Sequence, residues 1–294
     1  MSRLVSINGT VMAPEEARVS VYDRGFLYGD SVFETIRTYG GEPHALGEHL
    51  ARLARSAEKV AIPLPVDLAA LEAEIRHAVA EARNPESYAR VIVTRGEGPL
   101  GLDPALAREP LRVILVEPLK PLPAALYREG AKVVTVRTER AADAAPGAKV
   151  GNYLGGMLAL RQARAEGAHE ALIVDARGAI LEGATSNLFV TIGSALVTPP
   201  EGAGILAGIT RAQVIEIAST LGIPVRFEPV LQADLERATE AFLTSSLREI
   251  IPIVQVDDRL IGEGQPGPMT RSVHAAFRER VGLGGEPMPW ERED

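Results

Sequence analysis

The 294-residue chain has no cysteine, which excludes disulfides and thiolate metal ligation and is compatible with any redox compartment. It has no apolar run approaching the roughly eighteen residues of a membrane span. The opening Met1-Ser2-Arg3-Leu4-Val5 breaks too early for an export signal, so the default expectation is cytoplasmic. Positive charge is in the minority, with a formal net charge of −8, which excludes a global basic field for nucleic acid. No histidine pair has metal-ligand spacing, so no metal site is expected. What remains is ordinary for a soluble globular protein: 46% hydrophobic and 24% charged residues over a length that suits about two domains.

Lysine is also scarce, because arginine carries most of the positive charge. The four lysines are Lys59, Lys120, Lys132 and Lys149, and an amine nucleophile must be one of these, since arginine cannot lose its proton. Lys59 lies on a helical pattern where a charge belongs to the solvated face. Lys120 falls in the linker-like Pro118-Leu119-Lys120-Pro121-Leu122-Pro123, and Lys132 opens a strand-like run. Lys149 differs from these three. It stands in Pro146-Gly147-Ala148-Lys149-Val150-Gly151-Asn152-Tyr153, with flexible residues around it and no regular solvent face to explain it.

The element pattern predicts an α+β fold. Asn8-Gly9 and Gly40-Gly41 read as hairpin turns. Helices are expected at 47–60 and 67–83, the second capped by Asp67, and strands at 88–94 and 111–117. The proline-rich stretch marks a boundary, giving a small domain over 1–118, a linker over 119–130, a larger domain over 131–281 and a loosely ordered tail over 282–294. In the larger domain, strands are expected at 132–138, 170–174, 179–182, 187–192, 195–198, 225–228 and 240–243. A hairpin is expected around 256–261, and helices at 152–166, 211–221 and 268–281.

Two glycine-rich segments could meet a phosphate. Gly96-Glu97-Gly98-Pro99-Leu100-Gly101 has dinucleotide-loop spacing, which would suit a nicotinamide-dependent oxidoreductase, but Pro104 and Pro110 interrupt the helix such a loop requires. Leu206-Ala207-Gly208-Ile209-Thr210-Arg211 leads directly into a helix whose first turn offers backbone N–H groups. The plainer alternative there is a capping box of Thr210 with Gln213. Thr244-Ser245-Ser246 ends a strand and could donate to the same anion. Glu182 ends an apolar strand ahead of a small-residue turn, where a carboxylate either faces solvent or pairs with a cation.

Taken in order, Tyr28-Gly29-x-Ser31-Val32-Phe33-Glu34, Lys149-x-x-Asn152-Tyr153, Glu182-Gly-x-x-Ser-Asn187-x-Phe189 and Gly208-Ile209-Thr210-Arg211 resemble the class IV, fold type IV, pyridoxal-phosphate aminotransferases, over nearly the whole chain to about residue 281. The resemblance implies a small α/β domain with a larger pseudo-barrel domain, bound pyridoxal 5'-phosphate, small amino acid and keto acid substrates, and a homodimer or higher assembly. It implies that Lys149 holds the cofactor as an internal aldimine and moves the catalytic proton. Tyr153 would meet the phenolic oxygen and Glu182 the ring nitrogen. Arg52, Ile209, Thr210 and Ser246 would grip the phosphate, with Asn187, Gly208 and Ser245 in the same cofactor-binding set.

Tyr88-Ala89-Arg90, Gly98-x-Leu100-Gly101-Leu102-Asp103-Pro104 and Gly262-Glu263-Gly264-x-x-Gly267-Pro268 narrow the resemblance to branched-chain amino acid aminotransferases, with 2-oxoglutarate as acceptor. Tyr28, Phe33, Thr35, Arg37, Tyr88, Arg90, Ser246 and Leu247 would then line the substrate pocket, Arg90 favouring a side-chain carboxylate. Thr35 departs from that pattern, where glycine is common. Its Phe-Glu-Thr context is similar to 4-amino-4-deoxychorismate lyases and some D-amino acid aminotransferases, which stand as the alternatives.

Overall fold

A computed structural model describes residues 2–137 and 145–292. The chain forms two compact units, Met1–Lys120 with Ala148–Tyr153, and Pro121–Gly147 with Leu154–Asp294.

The first unit contains β1 (Leu4–Ile7), β2 (Thr10–Met12), α1 (Arg24–Tyr28), β3 (Ser31–Tyr39), β4 (Glu42–Pro43), α2 (Leu46–Lys59), α3 (Leu68–Ala82), β5 (Ser87–Thr94) and β6 (Arg112–Pro118). Its sheet runs β2-β1-β6-β5-β3-β4. Both predicted hairpins form, and Asp67 caps α3 by accepting from the Ala70 N–H. The period-two alternation of β3 sends Val32 and Ile36 into a core with Leu46, Leu50 and Leu53 of α2, leaving Phe33, Thr35 and Arg37 on the opposite face.

The domain division expected at residue 118 puts 148–153 in the larger domain, but these residues return to the first unit. The Phe33 N–H donates to the Lys149 carbonyl at 3.0 Å, and the Gly151 N–H donates to the Ser31 carbonyl at 2.7 Å. This pairing extends the ladder on the side of β3 away from β5. A sequence pattern cannot show it, because two or three isolated rungs leave no periodicity.

The second unit contains α4 (Ala124–Arg128), β7 (Ala131–Arg137), α5 (Leu154–Ala165), β8 (Glu170–Val174), β9 (Ala179–Gly183), β10 (Asn187–Ile192), β11 (Ala195–Thr198), α6 (Ile209–Thr220), β12 (Val225–Phe227), β13 (Val230–Leu231), α7 (Gln232–Arg237), β14 (Glu240–Ser245), β15 (Glu249–Val256), β16 (Arg259–Leu260) and α8 (Pro268–Arg280). The sheet order is β12-β11-β10-β14-β15-β7-β8-β9-β13, with β16 on β15. Inward residues from both halves of this order, Ile180 and Val230 as well as Val190 and Val197, share one buried cluster. Strands far apart in the order reach a common core only if the sheet curls on itself, the pseudo-barrel form expected.

Three expectations need correction or qualification. The sequence pattern foresees the long strand β15 only as a hairpin at its end, because Pro252 reads against a central strand; here Pro252 pairs opposite Phe242. The tail is more ordered than expected: Trp290 packs against the core and meets the His274 ring edge-on at 5.5 Å. For the strand predicted over 132–138, Thr138 lies outside the described residues.

Candidate functional site

The first unit gathers one group of the candidate side chains around Phe33. Gly151 allows the lysine segment to approach β3 closely, since a Cβ there would come within 2.1 Å of Ser31 Oγ. The Ser56 hydroxyl of α2 accepts the Lys149 backbone N–H at 3.1 Å. Held in this way, Lys149 carries its Nζ 4.6 Å from the Phe33 ring centroid and donates to the Tyr153 hydroxyl at 3.1 Å. The Tyr153 ring meets Phe33 edge-on at 5.1 Å. Arg90 stacks on Phe33 as well, its guanidinium carbon 4.0 Å from the centroid.

Arg90 stands directly opposite Thr35 in the β3–β5 register, and Tyr88 opposite Arg37, which puts all four with Phe33 on one sheet face. Arg90 Nε is buried with no hydrogen-bond partner among the described residues, an unusual state for a cationic donor. Arg37 instead lies over the Tyr39 ring at 4.1 Å. Tyr28, at the end of α1, is partly exposed and its hydroxyl accepts the Gly101 N–H at 3.1 Å.

Behind this face, Glu34 is fully buried. Its two oxygens accept Arg52 Nε and Nη2, each at 2.7 Å, and one oxygen also meets His49 Nδ1 at 2.7 Å. Burial opposes ionisation of Glu34, but the hydrogen bonds from Arg52 and His49 outweigh it and hold the carboxyl down at about 2. Burial also depresses the His49 pKa, against the pull of Glu34. Arg52 is therefore a buried, bidentate-held cation. Taken alone, the sequence reads it as a surface charge.

The second unit gathers the other group. Glu182, at the end of β9, accepts the Leu206 N–H at 3.1 Å and the Asn187 amide at 3.3 Å. Asn187 also donates to the Leu206 carbonyl at 2.9 Å, tying the acid to the loop that leads into α6. Gly208 belongs at that junction because a Cβ would fall 1.9 Å from Asn187 Oδ1. Gly208 is also the N-cap of α6, and no side chain caps the helix. The capping box of Thr210 with Gln213 is thus not formed, since Thr210 is already inside the helix. An uncapped first turn beginning Ile209-Thr210 presents backbone donors and a positive dipole end, the donor set that suits a phosphate ester.

Across the ladder from Asn187 stands Thr244, whose Oγ1 is buried without a hydrogen-bond partner among the described residues. Ser245 ends β14, and Ser246 and Leu247 begin the half-buried turn into β15. The rival dinucleotide loop has no such setting. Gly96 and Gly101 adopt positive φ, and the chain beyond them makes only a three-residue 3-10 turn at Pro104–Leu106, too short to present a helix dipole to a pyrophosphate. No group of three or more potential metal ligands occurs among the described residues.

The amino-transferase class IV family profile matches residues 31–256, a span that includes the Phe33, Lys149, Glu182 and Gly208 segments. The chain belongs to the class IV aminotransferases. A putative branched-chain-amino-acid aminotransferase of Methanocaldococcus jannaschii is 37% identical over 277 residues, 94% of this chain and 95% of the relative. A D-alanine aminotransferase of Bacillus licheniformis is 30% identical, over 94% of this chain and 96% of its own. Among solved structures, a T.th. branched-chain amino acid aminotransferase complexed with N-(5'-phosphopyridoxyl)-L-glutamate superposes with a TM-score of 0.89 at 31% identity, covering 99% of this chain and 97% of the other. No helix among the described residues of this class IV aminotransferase is long and apolar enough to cross a membrane.

Several residues bonded to the candidate side chains or to the turns that carry them escape the sequence reading: Glu34, His49 and Ser56 in the first unit, Glu170 and Arg248 in the second. The first unit leaves a usable signal. His49, Arg52 and Ser56 fall on the same helical stripe as Leu46, Leu50, Leu53 and Ala57, and polar residues within an apolar stripe need buried partners. Glu170 and Arg248 are separated by 78 positions and leave no local pattern.

Proposed function

We propose that this aminotransferase uses pyridoxal 5'-phosphate to move an amino group between a branched-chain L-amino acid and 2-oxoglutarate, with Lys149 as the catalytic residue. The observation that carries the reading is the placement of Lys149 Nζ, hydrogen-bonded to Tyr153 above the Phe33 ring, which Arg90 also stacks on with its buried Nε unpartnered among the described residues. The solved relative whose ligand joins the cofactor to glutamate supports the choice of cofactor. When bound, pyridoxal phosphate supplies an electron sink that makes the substrate Cα proton labile.

The residues present suit that group chemically. In the second unit the uncapped start of α6 with Thr210 and the Ser246 turn match a phosphate, and Glu182 is a buried carboxylate suited to a ring N–H; in the first unit Arg52 is a buried, fixed positive charge. The Thr244 hydroxyl is a further polar atom in the same region of the second unit. Lys149 would hold the cofactor, and its amine would serve as the group that takes up and returns the Cα proton. Tyr153 aims that amine. Arg90 would take the carboxylate of 2-oxoglutarate or glutamate, while Phe33 and Tyr88 would offer a wall for an aliphatic side chain, with Tyr28 and Arg37 at its margin; Leu247 is the apolar candidate of the second unit.

A second reading is D-amino acid transamination. Thr35, opposite Arg90, and the 30% identical D-alanine aminotransferase favour it. The working form in both readings is a homodimer or higher assembly, as the family resemblance implies. Loss of the bound cofactor's visible absorbance on mixing the holoenzyme with L-leucine, L-glutamate, D-alanine and D-glutamate in turn separates them. Response to the two L-amino acids supports the first reading, response to the D-amino acids replaces it with the second, and failure to bind the cofactor overturns both.

A further inference from the structure

Two turns of the second unit carry the residues assigned to the cofactor and the substrate. One, between β9 and β10, holds Thr185 between Glu182 and Asn187; the other, between β14 and β15, holds Ser246 and Leu247. A single side chain spans them. Arg248 Nε donates to Ser245 Oγ at 3.0 Å, and its Nη2 donates to the Thr185 carbonyl at 3.0 Å and to Thr185 Oγ1 at 2.6 Å. Its Nη1 donates to Glu170 Oε2 at 2.9 Å, and the same carboxylate oxygen accepts from Thr185 Oγ1 at 2.8 Å.

The bonding pattern exceeds what pairing a charge requires. Glu170 is fully buried on β8 and needs a cation, which a lysine would satisfy. The planar guanidinium does more, because its fixed fork sends donors in three directions and sets the spacing between the groups it touches. The backbone at this position is fixed too. The Tyr127 hydroxyl donates to the Arg248 carbonyl at 3.0 Å. The next residue, Glu249, has a left-handed φ of 59° and is buried against His274 and Arg278 of α8, at 2.8 and 3.2 Å. A left-handed glutamate is uncommon and is retained where its surroundings over-determine it.

We propose that Arg248 is a positioning residue, which fixes the spacing between the Glu182–Asn187 turn and the Ser246-Leu247 turn and thereby sets affinity for the cofactor phosphate and for the substrate. It touches neither. This rests on the pyridoxal phosphate reading above.

The test uses the full-length holoenzyme and three variants: Arg248→Met, Arg248→Met with Glu170→Gln, and Arg248→Lys. The single methionine variant leaves a buried carboxylate unpaired and can fail to fold for that reason; the double variant removes that charge, and the lysine variant keeps the pair. In the double variant the cofactor Kd and the KM for both amino acid and keto acid are expected to rise about tenfold, with kcat changed less than KM. Arg248→Lys is expected to keep the wild-type Tm but not the wild-type Kd and KM, since an ammonium can pair with Glu170 without bridging to Thr185. Folded variants with wild-type Kd and KM overturn the proposal, even if Tm falls. A fall in kcat at unchanged KM overturns it as well. Wild-type protein that binds no cofactor instead refutes the functional reading, and the two failures are distinguishable from the wild-type control alone.

Discussion

Lys149 and Tyr153, four residues apart outside any helix, are joined by a 3.1 Å hydrogen bond from the ammonium to the phenol. The contact exists because the intervening backbone is paired to β3, and it gives the amine one direction instead of many. Lys149→Ala is expected to lower transamination by at least about a thousandfold and to abolish the covalent cofactor absorbance, with the circular dichroism spectrum retained. A variant that keeps its absorbance and turnover rules out Lys149 as the catalytic residue. Tyr153→Phe removes only the hydroxyl, and its expected effect is a smaller loss, roughly tenfold to a hundredfold.

The buried Glu34 gives a pH prediction. Its carboxyl titrates at about 2 in the folded protein against an ordinary 4.5. A depressed carboxyl pKa stabilises the fold fully above the unfolded value, and that stability drains away as pH falls through the folded one. Urea unfolding is therefore expected to show a loss of about 3 kcal/mol between pH 4.5 and 2 from this group. Glu34→Gln should flatten the curve in that window. At neutral pH it should also cost about 3–5 kcal/mol, because Arg52 is left buried without its carboxylate. An unchanged acid limb in the variant counts against this account.

Arg90 predicts a split between substrates. Replacing it with methionine keeps a side chain that can lie on Phe33 but removes the charge. The KM for 2-oxoglutarate and L-glutamate is expected to rise by about tenfold or more, with a smaller change for L-leucine. Equal effects on all three would mean that Arg90 acts on the α-carboxylate or on packing, and not on the second carboxylate.

Thr35 is the position to change when asking about side-chain and enantiomer preference. Thr35→Gly removes a β-branched group directly across the ladder from Arg90. The expected outcome is an increase in kcat/KM for bulkier branched side chains relative to alanine, by a few-fold to about a hundredfold for one or two methyl groups of added space. Steady-state assays across L- and D-alanine, valine and leucine check it. No change in the ratios removes Thr35 from the pocket.

Much of the fold and part of the site are legible in the sequence. The hairpins at Asn8-Gly9 and Gly40-Gly41, the Asp67 cap and the four strands between 170 and 198 follow from turn chemistry and period-two alternation, signals contained in short windows, but those four strands form two separate hairpins, β8–β9 and β10–β11, because β9 and β10 do not pair. Lys149 stands out by its glycine-rich setting and by elimination among four lysines. What stays hidden depends on pairs far apart in sequence. Arg52 looks like any helical surface charge until Glu34, eighteen positions earlier, is known to lie beneath it. The absence of a capping box at Thr210 arises because helix α6 starts two residues sooner than its sequence signals suggest, at a glycine whose lack of a Cβ makes room for Asn187. Pro252 conceals a central strand for a similar reason, since a local rule is overruled by the packing around it.

The rungs that bind 149–151 to β3 also set limits for redesign. A strand's side chains alternate, so inserting or deleting one residue between Val150 and Tyr153 would turn the remainder of the segment to the other face and separate the phenol from the amine it aims. Substitutions along Thr35, Tyr88 and Arg90 leave those rungs alone. Under the proposed assignment, specificity is varied by point changes on neighbouring strands, whereas the length of the lysine segment is a fixed dimension.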